Sequence, residues 1–214
     1  MRKTFDAELQ ELNYEMINMS AAAEDAIDVV TESLSSSDDA AAKAAIEMTK
    51  SMDQMERDIE NRCLRLLLQQ QPVARDLRQI SAALKMITDM ERIGDQAEDI
   101  AEIVTFLKGR TAEHDDILCQ MARATISMVT ESVDAFVKHD TIKAEAVLAA
   151  DDTVDAYFRQ VKQALISRIA ADPADGEYAL DLLMIAKYFE RIGDHATNIA
   201  EWVIFSITGR HKEG

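Results

Sequence analysis

Apolar residues recur three and four positions apart along most of this chain, the spacing of a helix with one buried face. From Thr4 to Ser35 the series is Phe5, Leu9, Leu12, Met16, Met19, Ala23, Ala26 and Val30. The run Ser35-Ser36-Ser37-Asp38-Asp39 breaks it and supplies N-caps for a second helix. That helix carries Ile46, Met52, Met55, Ile59, Cys63 and Leu66 on one face and ends near Gln71-Pro72. Pro72 is expected near the first turn of the third helix, where its missing N–H is harmless. The third helix continues to Lys108-Gly109, where glycine supplies the stop. A polar loop, Arg110 to Asp115, precedes a second passage of the same kind. It comprises Asp116–Val137, a break at Lys138-His139-Asp140, Thr141–Ala170, a turn at Asp172-Pro173, and Glu177–Thr208 ending on Gly209. The pattern predicts an all-α fold of two tandem, pseudo-symmetric three-helix bundles, six helices in all. The repeats span residues 1–109 and 112–210, and residues 211–214 form a frayed tail.

Composition agrees with this reading. Only two prolines and six glycines interrupt 214 residues, and aromatics make up 5%. A net charge of −17 changes the picture of the surface. Such a chain repels nucleic-acid backbones and free anions, and it attracts metal cations and basic partners. Cys63 and Cys119 form no spaced pair and lie among apolar residues, so buried thiols in a reducing compartment are expected. No leader-like N-terminus and no uninterrupted apolar stretch of ~20 residues is present, which leads us to expect a cytoplasmic protein without membrane insertion.

The candidate chemistry comes from an internal repeat. Glu91–Phe106 reads ERIGDQAEDIAEIVTF and Glu190–Phe205 reads ERIGDHATNIAEWVIF, with eleven of sixteen positions identical at a constant offset of 99. The retained residues are acids and glycine as much as aliphatics, which points to a duplicated site. At ~100° per residue, Glu91, Asp95, Glu98, Asp99 and Glu102 form one stripe, with Ile93, Ile100, Val104 and Leu107 on the opposite face. Glu190, Asp194 and Glu201 repeat the stripe, with Thr197 and Asn198 in place of Glu98 and Asp99. Like charges one turn apart destabilise a helix, and a mid-helix glycine costs ~1 kcal/mol against alanine. Both features in both copies suggest a compensating ligand; an ordinary solvated face is the plain alternative. If the helices fold back at Pro72 and at Asp172-Pro173, Asp53 stands level with Glu91. Asp155 then stands level with Glu190, and Asp151 with Asp194. Carboxylate oxygens suit hard cations such as Mg²⁺, Mn²⁺ or Ca²⁺, and iron accepts them. The candidate metal set is therefore Asp53, Glu91, Asp95, Asp99, Asp151, Asp155, Glu190, Asp194 and Asn198. His195 is either a nitrogen ligand or a residue at the edge of the core. Glu98, Glu102 and Glu201, on the stripe but outside the ExxxD pairs, are candidate partner-docking residues.

Taken with Gln71-Pro72-Val73-Ala74-Arg75-Asp76-Leu77-Arg78, the two ERIGD segments and Asn198-Ile199, the whole chain resembles the PhoU family of bacterial phosphate-transport regulators. The resemblance implies tandem three-helix bundles with paired (Asp/Glu)xxxAsp motifs that bind multinuclear metal clusters, the cation being divalent or trivalent (Fe, Mn, Mg or Zn). Those motifs would be Asp151/Asp155 with Glu190/Asp194, and Glu91/Asp95 with a Thr49-x-x-x-Asp53 that lacks one acid. It further implies a homodimer that represses the phosphate-starvation response through the phosphate ABC transporter's ATPase and a sensor histidine kinase. No glycine-rich phosphate loop or nucleophile elbow is present, so we expect no enzyme. The alternatives are a metal-dependent enzyme and a metal-free helical adaptor.

Overall fold

The computed structural model describes residues 2–36, 39–69, 72–107 and 116–210. Its helices are α1 (Arg2–Ser36), α2 (Asp39–Gln69), α3 (Ala74–Phe106), α4 (Asp116–Lys138), α5 (Thr141–Ala171) and α6 (Gly176–Thr208). A 3-10 turn, Pro173–Asp175, joins α5 to α6, and no strand occurs among the described residues. The predicted all-α, six-helix architecture is thus observed. The expected stop at Gly109, the polar loop from Arg110 to Asp115 and the tail from His211 lie outside the described residues.

Within each half the three helices pack on one another. Across the halves α3 lies along α6, and α1 along α4. The four helices α1, α3, α4 and α6 therefore form the centre, while α2 and α5 flank it on the outside. The apolar stripes read from the sequence are the core. Leu12, Met16, Met19, Ile80, Ile93, Ile100, Phe136, Ile185, Phe189, Ile192 and Ile199 are all fully buried. Each large apolar side chain removed from water contributes roughly 1.5–3 kcal/mol, well above any single surface contact. Polar clips supplement this packing. Arg62 of α2 donates to both carboxylate oxygens of Glu15 and to Glu8 on α1, all at 2.7 Å. Hydrogen bonds with Glu15 and Glu8 keep the Arg62 guanidinium charged above even its usual range.

The α3–α6 seam runs antiparallel. Arg78 near the start of α3 reaches the Ser206 carbonyl near the end of α6, while Asp89 at mid-helix meets His195 and Asn198. Near the far end, burial raises the pKa of the Tyr188 hydroxyl and the neighbouring Asp99 carboxylate of α3 adds to it.

Local boundaries differ from the sequence reading in small ways. Pro72 precedes α3 altogether, since Val73 is the N-cap residue and the helix opens at Ala74. The turn between α4 and α5 is tight because His139 adopts a left-handed backbone (φ 52°) and Asp140 caps α5 by accepting from the Lys143 amide at 3.0 Å. Gly209 ends α6 in the left-handed conformation, as its position predicts. Cys63 is fully buried, and desolvation pushes its thiol pKa up to about 12, whereas Cys119 is only half-buried.

Of the mid-helix glycines in the two ERIGD segments, Gly94 has a packing cause and Gly193 does not. Both are buried. A Cβ on Gly94 would stand 3.0 Å from the Met52 sulfur of α2, and one on Gly193 would stand 3.4 Å from Val154 Cγ1 of α5. At Gly94, then, a Cβ would crowd the Met52 thioether, which would have to give way. At Gly193 a Cβ would meet only ordinary contact. We therefore expect Gly193→Ala to raise thermal stability by up to ~1 kcal/mol through helix propensity. Gly94→Ala should gain less or lose stability, because Met52 has to retreat. Equal shifts in melting temperature for the two variants would show that close approach at Gly94 is not what selects glycine there.

Candidate functional site

Two acidic grooves run along the outside of the molecule, one between α2 and α3, the other between α5 and α6. Their register follows from the turns. Folding back at Pro72 sets Met52 against Gly94, Thr88 near Glu56 and Thr49 against Glu98. Folding back at Asp172-Pro173 sets Val154 and Asp151 against Gly193. Residues equidistant from each turn are neighbours, as the sequence arithmetic requires.

In the first groove α3 contributes Glu91, Asp95 and Glu98, and α2 contributes Asp53 and Glu56. Burial, then the neighbouring Asp95, Glu56 and Asp53, raise the pKa of Glu91 against the pull of Arg92. Burial likewise raises Asp95, with Asp53 and Glu98 adding to it and Arg92 opposing. Glu56, which the sequence reading passed over, belongs here too. Its pKa is raised by burial, Glu60 and Asp53, and lowered by the Thr88 hydroxyl. The signal was present, because Glu56 and Thr88 are equidistant from Pro72. Glu98 leans onto α2, where the buried Thr49 hydroxyl donates to it at 2.8 Å. Glu102, by contrast, is exposed.

In the second groove Asp151 of α5 lies beside Asp194 of α6. Its carboxyl is raised by burial first, then by Asp194, Asp155 and Asp152. Asp155 makes a long ion pair with Arg159 at 3.5 Å, and Glu190 pairs with Lys187 one turn earlier on its own helix. The structure thus places Asp155 and Asp194 within electrostatic reach of Asp151, with Glu190 paired to Lys187. Glu201 lies exposed farther along α6.

Asp99 and Asn198 occupy a third place, the α3–α6 seam. Asp99 is raised by burial and by Glu102 and Asp95, against Arg191 from α6. Asn198 donates to Asp89 at 3.1 Å, and His195 Nδ1 lies 2.9 Å from the same carboxylate oxygen. Between the two sequence options for His195, the geometry places it at the edge of the core, bridging the repeats through Asp89. That residue was not among the sequence candidates, because the turns fix contacts within a repeat and say nothing of contacts between repeats.

The donor set of both grooves is oxygen throughout, which suits hard cations. As the side chains stand, no three acid, histidine or cysteine groups among the described residues are arranged to hold a metal ion.

Comparison with known proteins gives the context. A model described as PhoU domain matches residues 16–104 and again 118–203, so each half carries one copy. The phosphate-specific transport system accessory protein PhoU homolog of Clostridium acetobutylicum is 37% identical, covering 99% of this chain and 98% of its own length. The protein of the same name from Pseudomonas aeruginosa is 32% identical over 96% of this chain and 86% of its own. Among solved structures, PhoU from Pseudomonas aeruginosa superposes with a TM-score of 0.90, covering 96% of this chain and all of that one at 32% identity. The phosphate transport system regulatory protein PhoU from Streptococcus pneumoniae superposes with a TM-score of 0.89 over 98% and 99% of the two chains at 26% identity.

The raised carboxyls make a pH prediction. The pKa of Asp151 is higher in the folded chain than in the unfolded one, so its charge opposes folding at neutral pH. That opposition fades as pH falls through the raised value. In the presence of chelator, Asp151→Asn should therefore melt higher than the parent at neutral pH. The advantage should shrink on acidification and vanish below the ordinary aspartate range. A melting-temperature difference that is flat with pH would show that charge repulsion at Asp151 is absent.

Proposed function

We propose, from the premise that this chain belongs to the PhoU family, that it is an accessory regulator of phosphate transport. The observation that carries the reading is the full-length match of sequence and fold to proteins named for that role. At the finer level, we read it as a negative regulator of phosphate uptake and of the phosphate-starvation response. It works by binding the phosphate ABC transporter's ATPase and a sensor histidine kinase, as a homodimer in the cytoplasm. No helix among the described residues is long and apolar enough to cross a membrane.

The grooves support a binding role rather than turnover. They are open channels between an outer and a central helix, and their carboxylates are half-buried or, at Asp53 and Asp194, exposed. Catalytic carboxylates generally need an enclosure that excludes water. A divalent or trivalent cation would be held by Asp151, Asp155 and Asp194 with Glu190 in the second groove, and by Asp53, Glu91 and Asp95 with Glu98 in the first. When bound, it would cancel the repulsion that now raises several of these carboxyls.

Two measurements test the reading. Deleting the gene should turn on a phosphate-starvation reporter in phosphate-rich medium, and restoring the gene should silence it; normal control in the deletion strain overturns the regulatory assignment. For the metal, saturating Mn²⁺ or Fe should raise the melting temperature of chelator-treated protein by mass action. Asp194→Asn should reduce that gain. Identical melting with chelator and with metal would count against a cation in either groove.

A further inference from the structure

Farther along the α5–α6 groove, about two turns beyond Asp151 and Asp194, the character of the surface changes. There a cavity of about 810 Å³ opens between the two helices. Leu148 and Ile204 form its floor, Glu145 and Glu201 stand on its two rims, and Thr208 with the cationic Arg210 closes the end beyond α6. One turn before Glu145, on the same face of α5, Ile142 is 79% exposed. Ile142 does not itself line the cavity but extends the apolar surface beside Leu148 and Ile204, and apolar surface grouped in this way marks interaction sites. The rim supplies the second half of the description, since carboxylates on both walls favour cations.

The first repeat lacks this surface. Gly94 and Gly193, each facing the flanking helix, align α3 with α6, and Met52 and Val154 opposite them align α2 with α5. In that alignment Lys43 stands where Glu145 does, Ala40 where Ile142 does, and Thr105 where Ile204 does. One rim charge is reversed and the apolar floor is thinned. Duplication alone therefore does not account for the groove.

We propose that the apolar, acid-rimmed groove formed by Ile142, Glu145, Leu148, Glu201 and Ile204 is a docking site for a basic amphipathic segment of a partner protein. The partner's aliphatic side chains seat on Leu148 and Ile204, and its lysines or arginines meet Glu145 and Glu201. An anionic lipid surface is repelled by the same rims and by the net charge of −17. The proposal deepens the regulatory reading by naming the chemistry of the partner. It rests on that reading only for its role in the cell.

The test uses the full chain with chelator present and a fluorescent, short Leu/Lys amphipathic peptide as probe, followed by anisotropy. Saturable binding that weakens with salt is expected, because exposed charges are screened beyond ~8 Å at physiological ionic strength. A Leu/Glu peptide of the same pattern and a Ser/Lys peptide of the same charge should both bind much more weakly. The variant carrying Ile142→Ala, Glu145→Lys and Ile204→Thr copies features of the first repeat. It should lose about tenfold or more in affinity, while the same charge reversal at exposed Glu11, Glu11→Lys, should not. Circular dichroism and melting temperature establish that the triple variant is folded, and Ile142→Ala alone, at a solvent-exposed position, gives a smaller loss in the same direction. Unchanged affinity in a folded triple variant, or equal binding of the Ser/Lys peptide, overturns the docking site. In cells, a triple variant that controls the starvation reporter normally overturns the groove's part in regulation. Normal control in the deletion strain overturns the regulatory reading itself and leaves the peptide measurement to decide the groove.

Discussion

The antiparallel packing of α3 on α6 is the contact on which the rest depends. Each of these helices is surrounded. α3 meets α1, α2 and α6, and α6 meets α3, α4 and α5. So much of either helix surface is covered that several of its acids are drawn partly out of solvent, although Glu102, Asp194 and Glu201 stay exposed. Glu91, Asp95, Glu98 and Asp99 are all half-buried, and the raised carboxyls among them owe their shifts to that burial first and to one another second. An acidic stripe on an isolated helix would be an ordinary solvated face. The same stripe between packed helices holds charge in a partly desolvated place, where a cation has more to offset.

The seam also explains why the two halves act as one body. Apolar packing supplies most of the adhesion, and the polar contacts set the register. Arg78 on the Ser206 carbonyl and the Asp89 contacts with His195 and Asn198 each need one alignment of the helices. A slip of one turn would leave Asp89 half-buried without its partners, a penalty greater than the net gain of an average hydrogen bond. His195 directly follows Asp194 of the second groove, and Asp95 of the first groove is near enough to feel its charge. The two acidic surfaces therefore share a structural boundary, although neither touches the other's ligand set.

Much of this was legible in the chain. Helical spacing identified the core, because burial of Leu12, Met16 and Ile93 demands that periodicity. Pro72 and Asp172-Pro173 identified the hairpins, and the hairpins in turn fixed which residues of α2 and α5 stand level with Glu91 and Asp194. What could not be read was rotation and inter-repeat contact. Helical angles put Asp99 on the same stripe as Asp95, but ~40° between them is enough to move one into the α3–α6 seam while the other stays in the α2–α3 groove. The mid-helix glycines looked like a cost set against a ligand. The structure shows that Gly94 answers to Met52, a cause that pattern in one helix cannot reveal because it lies on another.

The comparison of the repeats carries one more step. On the α2 and α5 walls, Thr49 stands where Asp151 does; on the α3 and α6 walls, Glu98 stands where Thr197 does. One acid and one threonine occupy this level in each groove, but on opposite walls. In the first groove the Thr49 hydroxyl donates across to Glu98. In the second the Thr197 hydroxyl turns back to the Asp194 carbonyl on its own helix, at 2.7 Å. Counting α2 alone leaves the first groove one carboxylate short, and counting both walls restores it. Equal charge at this level does not make the grooves equivalent, and Glu56 gives the first one further carboxylate. A carboxylate already accepting a hydrogen bond from a buried hydroxyl is held in place and partly satisfied. Among the described residues no hydroxyl donates to Asp151, whose carboxyl is raised by burial and by the neighbouring Asp194 and Asp155. The duplicated framework thus carries two acidic surfaces of similar charge but different readiness to take up a cation, and the difference lies in which wall the threonine occupies.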